Sequence, residues 1–332
     1  MAVAAQRRVA PGEVPVIDIG ALGRGDAAEE AVVVAAIRSA CEATGFFYIA
    51  NHGVAPDLIA ELLGQSRRFF ALPLAARQAV ALTRSRNYRG YLPIGALGEN
   101  RERPPDLLES FNMGRELGPD DPSVAAGIPL HGPNQWPVDL PGFRAVVLDY
   151  YAQLDALARR LLVGFAGALG LPRHGLDGFH RKPLNSIRLL HYPAEPSPAF
   201  EFFGARPHRD TGIFTILLQD ENQGLEVADA AGDWMVVPPI PGTFVVNLAE
   251  MMTVLSNGRF ASALHRVINC YGSDRYSVPF FVTPDYDAVL EALPQFIDAE
   301  HPAGFAPCHA GNELHKLYRG LWPGVEQPDL VA

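Results

Sequence analysis

Arg206-Pro-His-Arg-Asp-Thr-Gly212 places a histidine and an aspartate two residues apart at the start of an apolar run, 212–219, with the composition of a β-strand. On an extended strand, residues i and i+2 point the same way. His208 and Asp210 are therefore expected to share a face while Arg209 turns outward, solvated or ion-paired. A third candidate ligand, His265, lies on a later strand-like run, and Arg275-Tyr276-Ser277 follows ten residues on. Two imidazoles and one carboxylate suit one face of an Fe(II) ion and leave the other positions open for a cosubstrate and O2. Alone, a His-x-Asp or a distant histidine is a weak signal. The competing reading is a structural ion pair, with His265 an ordinary core histidine. Ordered spacing, strand context and the Arg-x-Ser together favour the metal.

Arg275 and Ser277 are also i and i+2, so they share a strand face. A guanidinium offers a two-pronged fork to a carboxylate, and a hydroxyl adds a further hydrogen bond. Ten residues past a metal histidine, this pair reads as an anchor for an acidic cosubstrate rather than as a surface ion pair with Asp274.

Outward from these motifs, short strands recur with Gly and Pro turns between them: 184–192, 212–219, 224–228, 234–237, 243–247, 265–270 and 276–282. That rhythm indicates a barrel or jelly-roll sandwich. The N-terminal third instead alternates strand and helix: Val14–Ile19 as strand, Glu29–Ala43 as helix, Phe46–Ala50 as strand and Pro56–Phe70 as helix. Residues 104–141 are rich in Pro and Gly and read as loop around a short strand, Ser110–Met113. A long amphipathic helix follows, from about Pro141 to Leu169. The last fifty residues return to helix and loop and could cover the barrel mouth. The fold class is mainly β with flanking helices. The expected division is 1–120 as an N-terminal α/β region, 121–183 as linker and long helix, 184–285 as catalytic core and 286–332 as a C-terminal segment, in one compact unit.

Composition narrows the function classes. With 332 residues, 48% of them hydrophobic, the chain can bury a substantial core. Its net charge of -10, without a clustered basic run, argues against nucleic acid or an anionic membrane surface as partner. No run reaches the roughly 18 uncharged apolar residues a membrane helix needs. The first twenty residues lack an apolar signal region and read as an untargeted tail. Cys41, Cys270 and Cys308 are far apart and form no framework, which suggests a reducing cytoplasm. His301, His309 and His315 are too loosely spaced to favour a zinc site.

With these residues in view, the chain resembles the isopenicillin N synthase-like family of Fe(II)/2-oxoglutarate-dependent oxygenases along nearly its whole length. The likeness rests on Val14–Ile19, Gly45–Gly53, Arg188-Leu-Leu-His-Tyr-Pro193, Arg206–Gly212, Gly224-Leu-Glu-Val227, Pro241–Asn247, Leu264–Asn269 and Arg275-Tyr-Ser-Val-Pro-Phe280. The resemblance implies a double-stranded β-helix core, with Fe(II) on His208, Asp210 and His265. It implies a 2-oxoglutarate cosubstrate whose distal carboxylate is held by Arg275 and Ser277, with Tyr192 donating to cosubstrate or substrate. It implies oxidation of a small molecule by hydroxylation, desaturation or ring closure, with release of succinate and CO2. Tyr88, Tyr91, Phe111, Phe214 and Phe281 match regions that line the active site in relatives. No acid–base pair or nucleophile beyond the metal ligands is required. The expected state is a monomer or weak homo-oligomer.

Three positions depart from the family pattern. Leu190 replaces an asparagine, Ala249-Glu250 replaces a Gly-Asp, and Arg209 is larger than the usual middle residue of His-x-Asp. The Fe(II) oxidases of the isopenicillin N synthase type, which do without 2-oxoglutarate, share the triad and the Arg-x-Ser. A non-enzymatic binding module of the same fold is a third reading, against which the complete triad stands.

Overall fold

A computed structural model describes residues 7–8, 14–24, 26–96, 106–194, 203–229, 231–268, 272–322 and 325. Cys270 and the end of the expected strand 265–270 lie outside them. The strands are β1 (Arg7–Arg8), β2 (Val16–Asp18), β3 (Phe46–Ala50), β4 (Gly90–Leu92), β5 (Glu109–Gly114), β6 (Ser186–Tyr192), β7 (Ala205–His208), β8 (Phe214–Gln219), β9 (Leu225–Ala228), β10 (Trp234–Val236), β11 (Phe244–Leu248), β12 (His265–Val267), β13 (Arg275–Val282), β14 (Val289–Leu290) and β15 (Cys308–His309). The helices are α1 (Ala27–Ala43), α2 (Pro56–Phe70), α3 (Leu74–Gln78), α4 (Pro122–Ala125), α5 (Phe143–Leu169), α6 (Glu250–Leu255) and α7 (Ala310–Leu321).

Local chemistry places the helix ends. The Asp26 carboxylate accepts from the backbone N–H groups of Ala28 and Glu29 and caps α1. Pro56 opens α2 at the position where its missing N–H costs nothing. Gly170, with φ 80°, ends α5 in the left-handed conformation.

Eight strands form one sheet in the order β2-β3-β11-β8-β13-β6-β5-β4, and five form a second in the order β1-β10-β9-β12-β7. Side-chain alternation divides the large sheet cleanly. Val278, Phe280 and Val282 of β13, Ile187 and Leu189 of β6, and Phe214, Ile216 and Leu218 of β8 join the core under α1, α2 and α5. On β8 and β11, Leu217 and Val245 pack the other way, against Leu225, Val227 and Met235 of the small sheet. Each fully buried Leu or Phe here contributes about 1.5–3 kcal/mol of transfer free energy. The result is a layer of helices, a large sheet and a small sheet, with an opening between the two sheets. The sandwich expected from the strand rhythm is present.

Three local expectations need correction. The His-x-Asp motif does not begin a strand. His208 is the last residue of β7, and Asp210 sits in the connection to β8. Residues 122–125 make one helical turn inside the region read as loop. The C-terminal segment carries a small β14–β15 ladder as well as α7. Among the described residues no helix is long and apolar enough to cross a membrane.

Candidate metal centre and cosubstrate cavity

His265 and His208 are direct neighbours in the antiparallel β12–β7 ladder, so the small sheet sets their imidazoles side by side with ring centres 4.3 Å apart. Asp210 comes from the turn that leaves this sheet for the large one. Its backbone carbonyl accepts the N–H of Glu250 at 2.8 Å, which pins the turn. One ligand atom from each of His208, Asp210 and His265 lies within 4.8 Å of the others. Asp210 Oδ1 is 3.9 Å from Nε2 of both histidines. That spread suits one ion at roughly 2.0–2.2 Å from each donor. Among the described residues this is the one group of three potential metal ligands that converges so closely.

The surroundings orient every donor. His208 Nδ1 lies 2.6 Å from the Arg206 carbonyl, and His265 Nδ1 lies 3.0 Å from the Ala263 carbonyl. A carbonyl can only accept, so both Nδ1 atoms carry the proton and both Nε2 atoms face the centre with a lone pair. Asp210 Oδ2 accepts from Thr215 Oγ1 at 2.6 Å and from Asn247 Nδ2 at 2.7 Å. That leaves Oδ1 for a metal. Burial works to raise the Asp210 pKa, but the two histidines and the two hydrogen bonds hold it below the ordinary carboxylate value. Crowding by the surrounding protein and the neighbouring His265 push His208 below the ordinary imidazole value, although its side chain is 45% exposed.

The triad lines a cavity of about 380 Å³. The opposite wall is the large sheet, and Arg275 of β13 pairs in register with Tyr192 of β6, as Ser277 does with Leu190. Arg275 has no accessible surface. Its Nη2 donates to Gln219 Oε1 at 2.9 Å and its Nη1 to Ser277 Oγ at 3.3 Å. Its Nε–H has no partner, and no described carboxylate lies within 4 Å. The Tyr192 ring sits under the guanidinium at 5.1 Å, and its hydroxyl is hydrogen-bonded to Ser277. Burial raises the Tyr192 pKa, so the phenol stays protonated. Two glycines make room. A Cβ at Gly224 (φ 153°) would meet the Ile268 carbonyl at 2.9 Å and Arg275 Cδ at 3.1 Å. One at Gly204 would strike the Tyr192 ring at 2.7 Å.

Of the five aromatic pocket candidates, Phe281 lines the cavity. The other four stand elsewhere. Phe214 packs on Phe165 of α5, and Phe111 packs on Phe69 and Phe143. Tyr91 donates to Glu109 in a buried cluster with Arg77 and His191. Tyr88 lies beneath α7 against Tyr318 and Trp322. For Phe214 the reason is parity: Thr215 and Leu217 face the cavity, so Phe214 faces the helices. Parity also exposes what sequence reasoning passed over. Stepping by two from Tyr192 reaches Leu190 and Arg188, and from Ser277 reaches Pro279 and Phe281; all four line the cavity. Arg209, expected to point outward, also lines it, and its charge acts on Glu250. Leu314, Leu317, Tyr318 and Leu321 form one stripe of α7 and cover the opening.

Comparison with known proteins agrees with this geometry. Residues 14–139 match the model of the non-haem dioxygenase in morphine synthesis N-terminal family, and residues 184–284 match that of the 2OG-Fe(II) oxygenase superfamily. The chain is 34% identical over 324 residues to the 2-oxoglutarate-Fe(II) type oxidoreductase hxnY of Emericella nidulans, covering 96% of this chain and 93% of that one. The structure of a full-length Neurospora crassa protein in complex with alpha-KG superposes with a TM-score of 0.83 at 29% identity, covering 94% and 98%. JOX2 in complex with 2OG, Fe and JA superposes with a TM-score of 0.78 at 26% identity, covering 98% and 88%. The chain belongs to the 2-oxoglutarate–Fe(II) oxygenase superfamily and is an oxidoreductase of the dioxygenase class. The isopenicillin N synthase-like label is looser than this broader assignment.

Proposed function

We propose that His208, Asp210 and His265 hold Fe(II), that Arg275 and Ser277 take the distal carboxylate of 2-oxoglutarate, and that Tyr192 braces this anchor while a small organic substrate is oxidised. The observation that carries the reading is Arg275. A fully buried guanidinium without a counter-charge is costly unless an anion completes it. It faces the same cavity as three converging ligand atoms. Both absent groups therefore fit the residues present.

When bound, the iron and its cosubstrate supply oxygen activation coupled to loss of CO2. The chain supplies position and exclusion of water. The two backbone carbonyls hold the histidine tautomers, and Thr215 with Asn247 holds Asp210 in its ligating pose. Leu190 presents an apolar surface beside the anchor where relatives carry an amide, so Arg275, Ser277 and Tyr192 are left to set the cosubstrate. Pro279, Phe281 and the α7 leucines keep the outer part dry. Free Cys41 and Cys308 thiols support a reducing cytoplasm as the setting, and we retain a monomer or weak homo-oligomer as the working form.

The test is anaerobic titration of the apo-protein with Fe(II) and then 2-oxoglutarate. A weak visible charge-transfer band is expected in wild type and a much weaker one in Arg275→Ala. Iron binding without a band would return the protein to the cosubstrate-independent oxidases. Failure to bind iron would sink the reading.

A further inference from the structure

Four guanidiniums line the cavity, and two of them, Arg275 and Arg206, are hydrogen-bonded within the protein. Arg275 donates to Gln219 and Ser277, and Arg206 donates to Asp106 at 2.9 Å; Arg209, beside the metal ligands, has only the more distant charge of Glu250 opposite it. Arg188 has neither a hydrogen bond nor a carboxylate within 4 Å among the described residues. It is held by ring faces instead, its Cζ lying 5.3 Å from the Phe281 centroid and 5.6 Å from that of Trp322. Rings packed on the faces of a guanidinium orient it and leave the donors on its edge unused.

Arg188 lies on the cavity face of β6, four residues from Tyr192, or about 13 Å along the strand. Tyr192 pairs with Arg275. The floor of the cavity therefore carries two cations, one at the cosubstrate anchor and one near Phe281, and the charge of Arg188 reaches as far as Tyr192. The same cavity is lined by the apolar side chains of Pro279, Leu314, Leu317 and Leu321. A fork-shaped cation held between aromatic faces, in a cavity that also offers apolar walls, matches a planar anion on an apolar body.

We propose that Arg188 is the substrate anchor, and that the substrate is a small monocarboxylate whose hydrocarbon or ring portion lies between Phe281 and the leucines of α7. This deepens the functional proposal above and rests on it. The carboxylate takes the edge of Arg188, and the body fills the space toward the metal corner. Arg275 remains with the cosubstrate.

The experiment uses the full chain with anaerobic Fe(II) and saturating 2-oxoglutarate. Benzoate, phenylacetate and cyclohexanecarboxylate are titrated beside their primary amides, followed by calorimetry and tryptophan fluorescence. At least one acid is expected to bind about tenfold or more tighter than its amide. Arg188→Leu is expected to weaken that acid about 30-fold and erase the preference, as loss of a charge-assisted pair should. Arg188→Lys should restore part of it. In both variants 2-oxoglutarate should bind as in wild type, which also shows that the site is folded. A panel with no preference for acid over amide overturns the proposal. So does a preference that survives in Arg188→Leu, or a loss of 2-oxoglutarate affinity in that variant. If wild type prefers the acid but does not bind 2-oxoglutarate, the cosubstrate reading fails and the anchor stands. The reverse result sinks the anchor alone.

Discussion

The metal corner and the roof of the cavity are built from opposite materials. At the metal corner each donor atom has a fixed neighbour. Two backbone carbonyls hold the histidines, and two side chains hold the far oxygen of Asp210. At the roof, leucines and a tyrosine from one amphipathic helix close over Phe281, and Leu317 is still 38% exposed. Hydrogen bonds are directional, so the corner tolerates one geometry. Apolar contact is not, so the roof can be recut for a different substrate while the corner stays intact. The contrast separates the chemistry of the reaction from the choice of molecule.

Breaking the corner should give the largest effect. In Asp210→Ala the one carboxylate of the three converging ligands is gone. Fe(II) binding and succinate release should both fall below detection, and retained turnover would refute the ligand assignment. Arg275→Leu comes next. The KM for 2-oxoglutarate should rise about 30-fold or more, because a buried charge pair is lost. Iron affinity measured by competition with a chelator should stay near wild type. Asn247→Ala removes a support rather than a ligand, so Fe(II) affinity should drop about tenfold. A drop as large as that of Asp210→Ala would mean that Asn247 is itself a ligand.

The roof should answer differently. Leu317→Ala deletes a partly exposed apolar contact, and substrate KM should rise only a few-fold, at about 0.8 kcal/mol per buried methylene. The KM for 2-oxoglutarate and the iron affinity should not move. Were all three to change together, corner and roof would form one unit and the contrast would fail.

Much of the corner could be read from the chain because its information is local. Arg275 and Ser277 are two residues apart on β13, where strand geometry turns such spacing into a shared face, and His208 and Asp210 are as close in sequence although the second comes from the turn after β7. The same rule, carried two residues further along β6 and β13, reaches Arg188, Leu190, Pro279 and Phe281. Applied to β8 it rejects Phe214, whose neighbours Thr215 and Leu217 take the cavity side. Tyr88, Tyr91 and Phe111 could not be sorted this way. Their environments are set by α7, Glu109 and α5, elements separated from them in the chain.

The amino-acid sequence by itself determined the sandwich class, the long α5 helix and the set of candidate ligands, since each follows from periodicity within a short window. The tertiary structure alone decided that His208 and His265, 57 residues apart in number, become ladder neighbours. It also decided that the carboxylate arrives from a turn rather than a strand, and that α7 closes the chamber. Those outcomes depend on which strands pair and how a distant helix docks. Such choices come from apolar burial summed over the whole molecule, which no local spacing encodes.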